Sequence, residues 1–244
     1  MVQDFYAYII MTENFYEKKD MQKYLKKTHN PHLDKHHIKL PFRMLICGSS
    51  GSMKTNTLLS LIALMPDTFS KIWIITKNKD EALYNYLYDK TGGKKGNVTI
   101  TEIDKDGFPD INKEFNPEES NLLVFDDLVN ESAKKLAPVM DAFIRARKRG
   151  CSLVFITQSF YGTPKLIRNN LTHIILKQVS SMKNLTMISR ECSLDLPKKT
   201  LVDMYKDATK EKIGFLMFDC DAGEDKKFRK NWDEYYEIDE SEKN

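Results

Sequence analysis

Gly48-Ser49-Ser50-Gly51-Ser52-Met53-Lys54-Thr55 lies between an apolar run, Met44-Leu45-Ile46-Cys47, and a helical pattern that begins near Thr55. A strand, a turn of small residues and a helix, in that order, form an anion cradle. The helix N-terminus presents unpaired N–H groups and the positive end of its dipole. Small side chains let the backbone wrap a phosphate closely. A lysine at position 54 reaches the β- and γ-phosphates, and a hydroxyl at position 55 holds Mg²⁺. The stretch fits Gly-x4-Gly-Lys-Ser/Thr everywhere except Met53, where glycine is expected. The nucleotide contacts it predicts are Gly48, Ser49, Ser50, Gly51, Ser52, Met53, Lys54, Thr55 and Asn56.

Outward from the loop, apolar runs alternate with helical patterns. Residues 43–47 form a short buried strand, and Leu58, Leu59, Leu61, Ile62 and Met65 put an apolar stripe on the helix that Pro66 ends. Residues 71–76 are a second buried strand, and Asp80 is placed to cap a helix with Leu83, Tyr84 and Leu87 inward. Residues 91–97 read as a flexible basic loop, 98–103 as a strand with one wetter face, and 104–120 as loop broken by Pro109 and Pro117. An apolar strand from 121 runs into Asp126-Asp127. A helix from about 131 to 149 stops at Gly150, and a strand at 152–157 ends at Gln158. A helical turn follows Pro164, then a strand at 172–176. This alternation predicts a parallel sheet with helices on both faces. Past Met182 the pattern thins to one helix around Leu201, Met204 and Tyr205 and a hairpin built from 214–218 and 227–232. The organisation expected is a lead segment at 1–40, a core at 41–232 and an acidic tail at 233–244.

A chain of 244 residues can bury one substantial core. Its 38 basic and 35 acidic side chains nearly balance at +3, too even to argue for nucleic acid by net charge. The distribution is uneven. Residues 17–39 carry seven lysines against three acids, together with His29, His32, His36 and His37 near Asp34. No pair there has the helical setting of a metalloprotease site, so a solvated connector or a weak phosphate contact is the expectation. Phe5, Tyr6, Tyr8, Phe15 and Tyr16 offer an aromatic surface to the core or to a partner. Cys47, Cys151, Cys192 and Cys220 are scattered without a C-x-x-C pair, which suits reduced thiols inside a cell. No apolar run is long enough for a membrane segment, and the N-terminus lacks the basic start of a signal peptide.

The chemistry is carried by three landmarks. An apolar strand ending in acids downstream of a phosphate loop supplies the carboxylate that holds Mg²⁺. Asp126 fits that position, and Asp127 is placed to orient or deprotonate the attacking water, at the carboxyl end of a strand where open parallel sheets bind ligands. A helix cap is the competing use for either acid. Gln158, after the next strand, faces the same crevice as a γ-phosphate sensor or water holder, or else serves as a plain polar cap.

The stretches Ile38-Lys39-Leu40-Pro41-Phe42-Arg43-Met44-Leu45-Ile46, the loop itself, Leu122-Leu123-Val124-Phe125-Asp126-Asp127, Arg147-Lys148-Arg149-Gly150-Cys151-Ser152, Phe155-Ile156-Thr157-Gln158-Ser159 and Ile167-Arg168-Asn169-Asn170 follow one another in order. Together they resemble the FtsK–HerA superfamily, and more closely the DNA-packaging ATPases of large double-stranded DNA viruses and their virophages. The resemblance spans residues 38–177. It implies an α/β P-loop NTPase with a mainly parallel sheet flanked by helices, to which this chain adds its C-terminal hairpin. It further implies ATP and Mg²⁺ as ligands, hydrolysis coupled to moving double-stranded DNA, a homo-oligomeric ring, and viral capsid or portal components as partners. The location implied is the virus assembly site in the host cytoplasm, or the virion.

On this resemblance Lys54 and Thr55 serve the nucleotide, Asp126 and Thr55 the metal, Asp127 the water and Gln158 the sensing of the γ-phosphate. Arg147 is the first choice for an arginine finger acting on a neighbouring subunit, and Arg168 the second. Cations are also favoured at a helix C-terminus for their own sake, which is the competing account of the 145–149 cluster. The chain departs from the family at Met53 and at Asp127, where the superfamily usually has glutamate. Lys77, Lys79, Lys94 and Lys95 are candidate phosphate contacts for DNA. Two other functions fit a phosphate loop. One is a small phosphotransferase such as a nucleotide kinase, which would want an arginine-rich lid that the region after Gln158 lacks. The other is a non-catalytic nucleotide-binding scaffold, to which Met53 points.

Overall fold

The computed structural model describes residues 14–24, 28–191 and 196–238. Strands β1 (Arg43–Cys47), β2 (Lys71–Thr76), β3 (Val98–Glu102), β4 (Asn121–Asp126), β5 (Cys151–Thr157), β6 (His173–Leu176), β7 (Leu216–Asp219), β8 (Phe228–Lys230) and β9 (Glu234–Tyr235) make one sheet, ordered β3-β2-β4-β5-β1-β6-β7-β8-β9. The row from β3 to β6 is parallel; β7, β8 and β9 extend it antiparallel. The helices that matter for the site are α1 (Lys54–Leu64), α2 (Ala82–Lys90), α3 (Ala133–Arg145), α4 (Lys165–Arg168), α5 (Lys183–Glu191) and α6 (Lys198–Ala208).

β4 and β5 are buried along their whole lengths, as continuous apolar runs in a parallel sheet must be when helices cover both faces. Alternate residues of a strand point to opposite faces. Accordingly Leu45, Phe125 and Phe155 pack with α3, α5 and α6 through Phe143, Ile188 and Met204. Ile46, Val124 and Ile156 pack on the other face with Leu58 and Leu61 of α1 and Tyr84 of α2. The mainly parallel sheet, the helices on both faces and the late antiparallel strands agree with the sequence expectation. Among the described residues no helix is long and apolar enough to cross a membrane.

Several local expectations are corrected. Glu81, not Asp80, occupies the N-cap of α2, and no side chain caps it. Residues 91–97 form a built turn: Thr91 Oγ1 donates to the Leu87 carbonyl at 2.8 Å, and a Cβ on Gly96 would collide with the Thr91 carbonyl. The segment at 104–120 contains a helical turn, Ile111–Glu114, whose cap Asp110 accepts from Asn112 N–H. The helix expected over 131–149 begins after Ser132, is α-helical to Arg145 and tightens to a 3₁₀ turn at Ala146–Arg149 before Gly150 turns left-handed at φ +62°. α5 has no counterpart in the sequence expectation. Its inward residues Leu185 and Ile188 are few, and sequence periodicity needs more.

Residues 28–40 lean on the core. Ile38 and His36 are fully buried, and the His36 Nδ1 accepts the Ile38 N–H at 3.0 Å. Burial, with neighbouring cationic groups, lowers the His36 imidazole to about 4. No metal-ligating cluster forms among the described residues. Cys47 and Cys151 are buried thiols without disulfides. The aromatic stretch up to residue 13, Cys192 and the end of the acidic tail, 239–244, lie outside the described residues.

Candidate nucleotide site

β1, which feeds the phosphate loop, and β4, which ends in Asp126, are not neighbours; β5 runs between them. Two consecutive carbonyls of β5 hold the two motifs. Gly48 N–H donates to the Thr157 carbonyl at 3.2 Å, and Asp127 N–H donates to the Ile156 carbonyl at 3.3 Å. Gln158 is the next residue, and its Nε2 lies 3.4 Å from Asp127 Oδ1. Loop, acidic pair and glutamine therefore meet at the carboxyl ends of three adjacent strands.

Inside the loop, the backbone explains the small residues. A side chain at Gly48 would strike Ser52 Oγ and come within 2.6 Å of Lys177 Cβ. Gly51 sits at φ +71° with open space around it. Met53 is left-handed at φ +64°, ψ +37°, immediately before α1. That conformation is why glycine is expected there, and an L-residue holds it at a cost of roughly 1–2 kcal/mol. The Met53 carbonyl accepts both the Thr57 N–H and the Thr57 hydroxyl at 3.1 Å, which starts the helix at the strained residue. Lys54 Nζ donates to the carbonyls of Gly48 at 3.0 Å and Ser49 at 2.9 Å, folded across its own loop. Burial lowers the Lys54 pKa, and the Asp126 charge is the main opposing influence. Ser52 Oγ is buried without a partner, a donor that a phosphate oxygen would satisfy. A cavity of ≈ 380 Å³ opens here, lined by Gly51, Met53, Lys54, Thr55, Asn56 and Glu81.

The acidic side of the site is braced by a residue that sequence reading treated only as core. Asp126 is 8% exposed, and its Oδ2 accepts the Tyr84 hydroxyl at 2.6 Å. Burial pushes the Asp126 carboxyl up to about 6; the Tyr84 hydrogen bond pulls the other way, and Glu81 adds to the rise. The Tyr84 phenol is itself driven up by burial and by the Asp126 charge. Asp127 is left-handed at φ +56°. An oxygen donor set drawn from Thr55 and Asp126 suits a hard divalent cation such as Mg²⁺. Lys177 was also missed. It is fully buried beneath Gly48, donates from Nζ to the Ile213 carbonyl at 2.7 Å, and is lowered by burial to about 8. Its one sequence signal was a lysine directly following the apolar run of β6.

The two arginines part company. Arg147 is exposed in the 3₁₀ turn before β5, whereas Gln158 follows β5. Seven residues of strand put about 20 Å between them, so Arg147 cannot reach its own chain's nucleotide cavity. It lines a separate cavity of ≈ 580 Å³ at the opposite end of the parallel strands, with Arg43, His173, Asp219 and Arg229. Arg168 is engaged. Its Nε lies 3.0 Å from Glu191 Oε2, and its Nη1 donates to the Tyr161 carbonyl at 3.0 Å and the Phe160 carbonyl at 3.3 Å. It clamps the loop after Gln158 onto α5. Of the lysines suggested for DNA, Lys77 is paired with Glu131 at 2.9 Å, and Lys94 and Lys95 sit in the turn before β3, away from the nucleotide end.

The family described as "Poxvirus A32 protein" matches residues 31–220. The DNA packaging protein OPG160 of variola virus is 25% identical over 150 residues, covering 59% of this chain and 55% of that protein; OPG160 of vaccinia virus, strain Western Reserve, matches to the same extent. The chain thus spans about half the length of the curated relatives it matches. In fold it is similar to the genome packaging NTPase B204 of Sulfolobus turreted icosahedral virus 2. In complex with ATP-gammaS, B204 matches at a TM-score of 0.54 with 17% identity, over 75% of this chain and 94% of that one.

Proposed function

Because the chain belongs to the family of the poxvirus A32 protein, we propose that it is an ATP-hydrolysing motor that drives double-stranded DNA into a viral capsid. The observation that carries the reading is the pair of β5 carbonyls gripping Gly48 and Asp127, with Gln158 beside Asp127. One strand thereby ties the phosphate loop, the water-handling acid and the γ-phosphate sensor into a single unit. Names of relatives support the direction: a DNA packaging protein among sequences and a genome packaging NTPase among structures.

Residue by residue, the loop N–H groups and Ser52 Oγ take phosphate oxygens, and Lys54 swings from the Gly48 and Ser49 carbonyls onto the β- and γ-phosphates. Thr55 and Asp126 hold the metal, and Mg²⁺ when bound neutralises charge building on the phosphate oxygens. Asp127 orients the attacking water and accepts its proton. Gln158, already against Asp127, reports whether the γ-phosphate is present. Arg147, too far from its own cavity, serves the cavity of a neighbouring subunit in a homo-oligomeric ring. Such a finger typically contributes ~10³–10⁵ in rate. Arg168 acts as a positioning residue through the loop it clamps. DNA is held through its phosphates, which suits movement along any sequence.

The test is ATP hydrolysis by purified protein with and without duplex DNA, alongside native mass measurement. Stimulation by duplex DNA that fades with rising salt, loss of turnover in Lys54→Ala and Asp127→Asn, and a ring-sized mass are expected. No hydrolysis in any assembled, DNA-containing condition refutes the motor. Phosphorylation of AMP or of a nucleoside assigns the site to a phosphotransferase.

A further inference from the structure

We infer that Tyr84 is a positioning residue for the divalent cation: its hydroxyl holds one oxygen of Asp126 and so fixes how that carboxylate presents its other oxygen to the metal. The inference rests on the nucleotide–Mg²⁺ reading above. Tyr84 is the third residue of α2, is fully buried, and packs with Leu58 and Leu61 of α1 on one face of the sheet. Its ring is thus held by packing and has little freedom to follow the carboxylate. The hydroxyl reaches Asp126 Oδ2 at 2.6 Å, a short, charge-assisted bond when Asp126 is ionised. No other donor among the described residues is hydrogen-bonded to that carboxylate, so Oδ1 keeps its lone pairs for a ligand. The two metal ligands come from different elements, the start of α1 and the end of β4, and neither backbone holds the other. A rigid donor behind Asp126 does what groups behind a metal's ligands commonly do: it orients the carboxylate before the metal arrives. Removing such support typically costs 10–100-fold in metal affinity.

Tyr84→Phe deletes the hydrogen bond to Asp126 and keeps the ring. A fluorescent, non-hydrolysable ATP analogue is bound by full-length protein, first without metal and then across a Mg²⁺ titration. The expected result is unchanged analogue affinity without Mg²⁺ and a Mg²⁺ half-saturation raised about 10–100-fold. An unchanged half-saturation overturns the inference. So does a parallel loss of metal-free analogue binding, which would mark Tyr84 as packing alone. If the parent protein shows no Mg²⁺-dependent binding, the nucleotide–metal reading itself falls, a result distinct from a silent Tyr84→Phe. Should Tyr84→Phe not fold, 3-fluorotyrosine placed at position 84 gives the readout. A ¹⁹F shift when Mg²⁺ joins the bound analogue supports the positioning role, and a resonance indifferent to Mg²⁺ overturns it.

Discussion

Asp126→Asn is expected to make the metal-free protein more stable while destroying its metal site. The asparagine keeps the shape of the carboxylate and its acceptor for Tyr84, and removes a charge held in an almost closed environment. Burial raises the Asp126 pKa from 3.8 to about 6, so the folded chain binds a proton there more tightly than the unfolded chain. The stabilisation from that proton is full below 3.8 and is lost as pH rises to about 6. At pH 7.5 the ionised group therefore costs the fold roughly 3 kcal/mol relative to a neutral one, at about 1.4 kcal/mol for each pH unit between the two pKa values. The Asp126→Asn variant escapes that cost. At about 2–4 °C per kcal/mol for a chain of this size, it should melt roughly 6–12 °C higher. The assay is thermal and urea unfolding in EDTA at pH 7.5, 6 and 4.5. The gain should be full at pH 7.5, begin to shrink near 6 and fall to about a third by 4.5. No gain at pH 7.5, or a gain that does not change with pH, refutes the account of a strained, desolvated carboxylate kept for the metal.

Met53→Gly should stabilise the chain by about 0.5–1 kcal/mol, the relief of a left-handed L-residue less the extra chain entropy of glycine, with nucleotide affinity retained or improved. A urea midpoint that falls, or binding that collapses, would show that the Met53 side chain is needed where it stands. Gly48→Ala should cost roughly 1–3 kcal/mol and weaken nucleotide binding, because the added methyl lies 2.6 Å from Lys177 Cβ, which is fixed to its backbone, even after Ser52 Oγ turns away. Full stability by denaturant titration would contradict the tight approach of β6 to the loop. Arg147→Ala should leave nucleotide affinity of the isolated chain intact and cut turnover of the assembled form by ~10³ or more. Mixing it with Lys54→Ala protein should restore some activity, since each supplies what the other lacks; no restoration would place Arg147 outside the neighbour's site.

The parallel α/β core was legible because its signals are local and strong. Continuous apolar runs at 43–47, 71–76, 121–126 and 152–157, each followed by a turn and a helical pattern, leave few arrangements open. What was hidden follows from the same logic. α5 carries too few inward residues for a period to show, and the turn at Gly93–Lys95 looks like any glycine- and lysine-rich loop until Thr91 closes it. The lead segment at 28–40 gave no apolar period, yet Ile38 and His36 are buried in the fold.

At the site, residue type and spacing were enough to single out the residues that the fold gathers at one end of the sheet: a lysine and a hydroxyl after a small-residue turn, paired carboxylates at a strand end and a glutamine at the next. They also located the anomaly at Met53. Geometry between segments distant along the chain came from the fold alone, because no local pattern encodes it. The insertion of β5 between β1 and β4 brings Gln158 to Asp127. The length of β5 removes Arg147 from its own cavity, and Glu191 engages Arg168. Tyr84 read as one more apolar position of a helix, because a tyrosine hides a polar tip behind a hydrophobic ring and only its neighbours reveal which half is in use. Met53 changes meaning in the same way. The departure from the expected glycine is real in the sequence, and the left-handed backbone at that residue shows it as a strain the loop sustains.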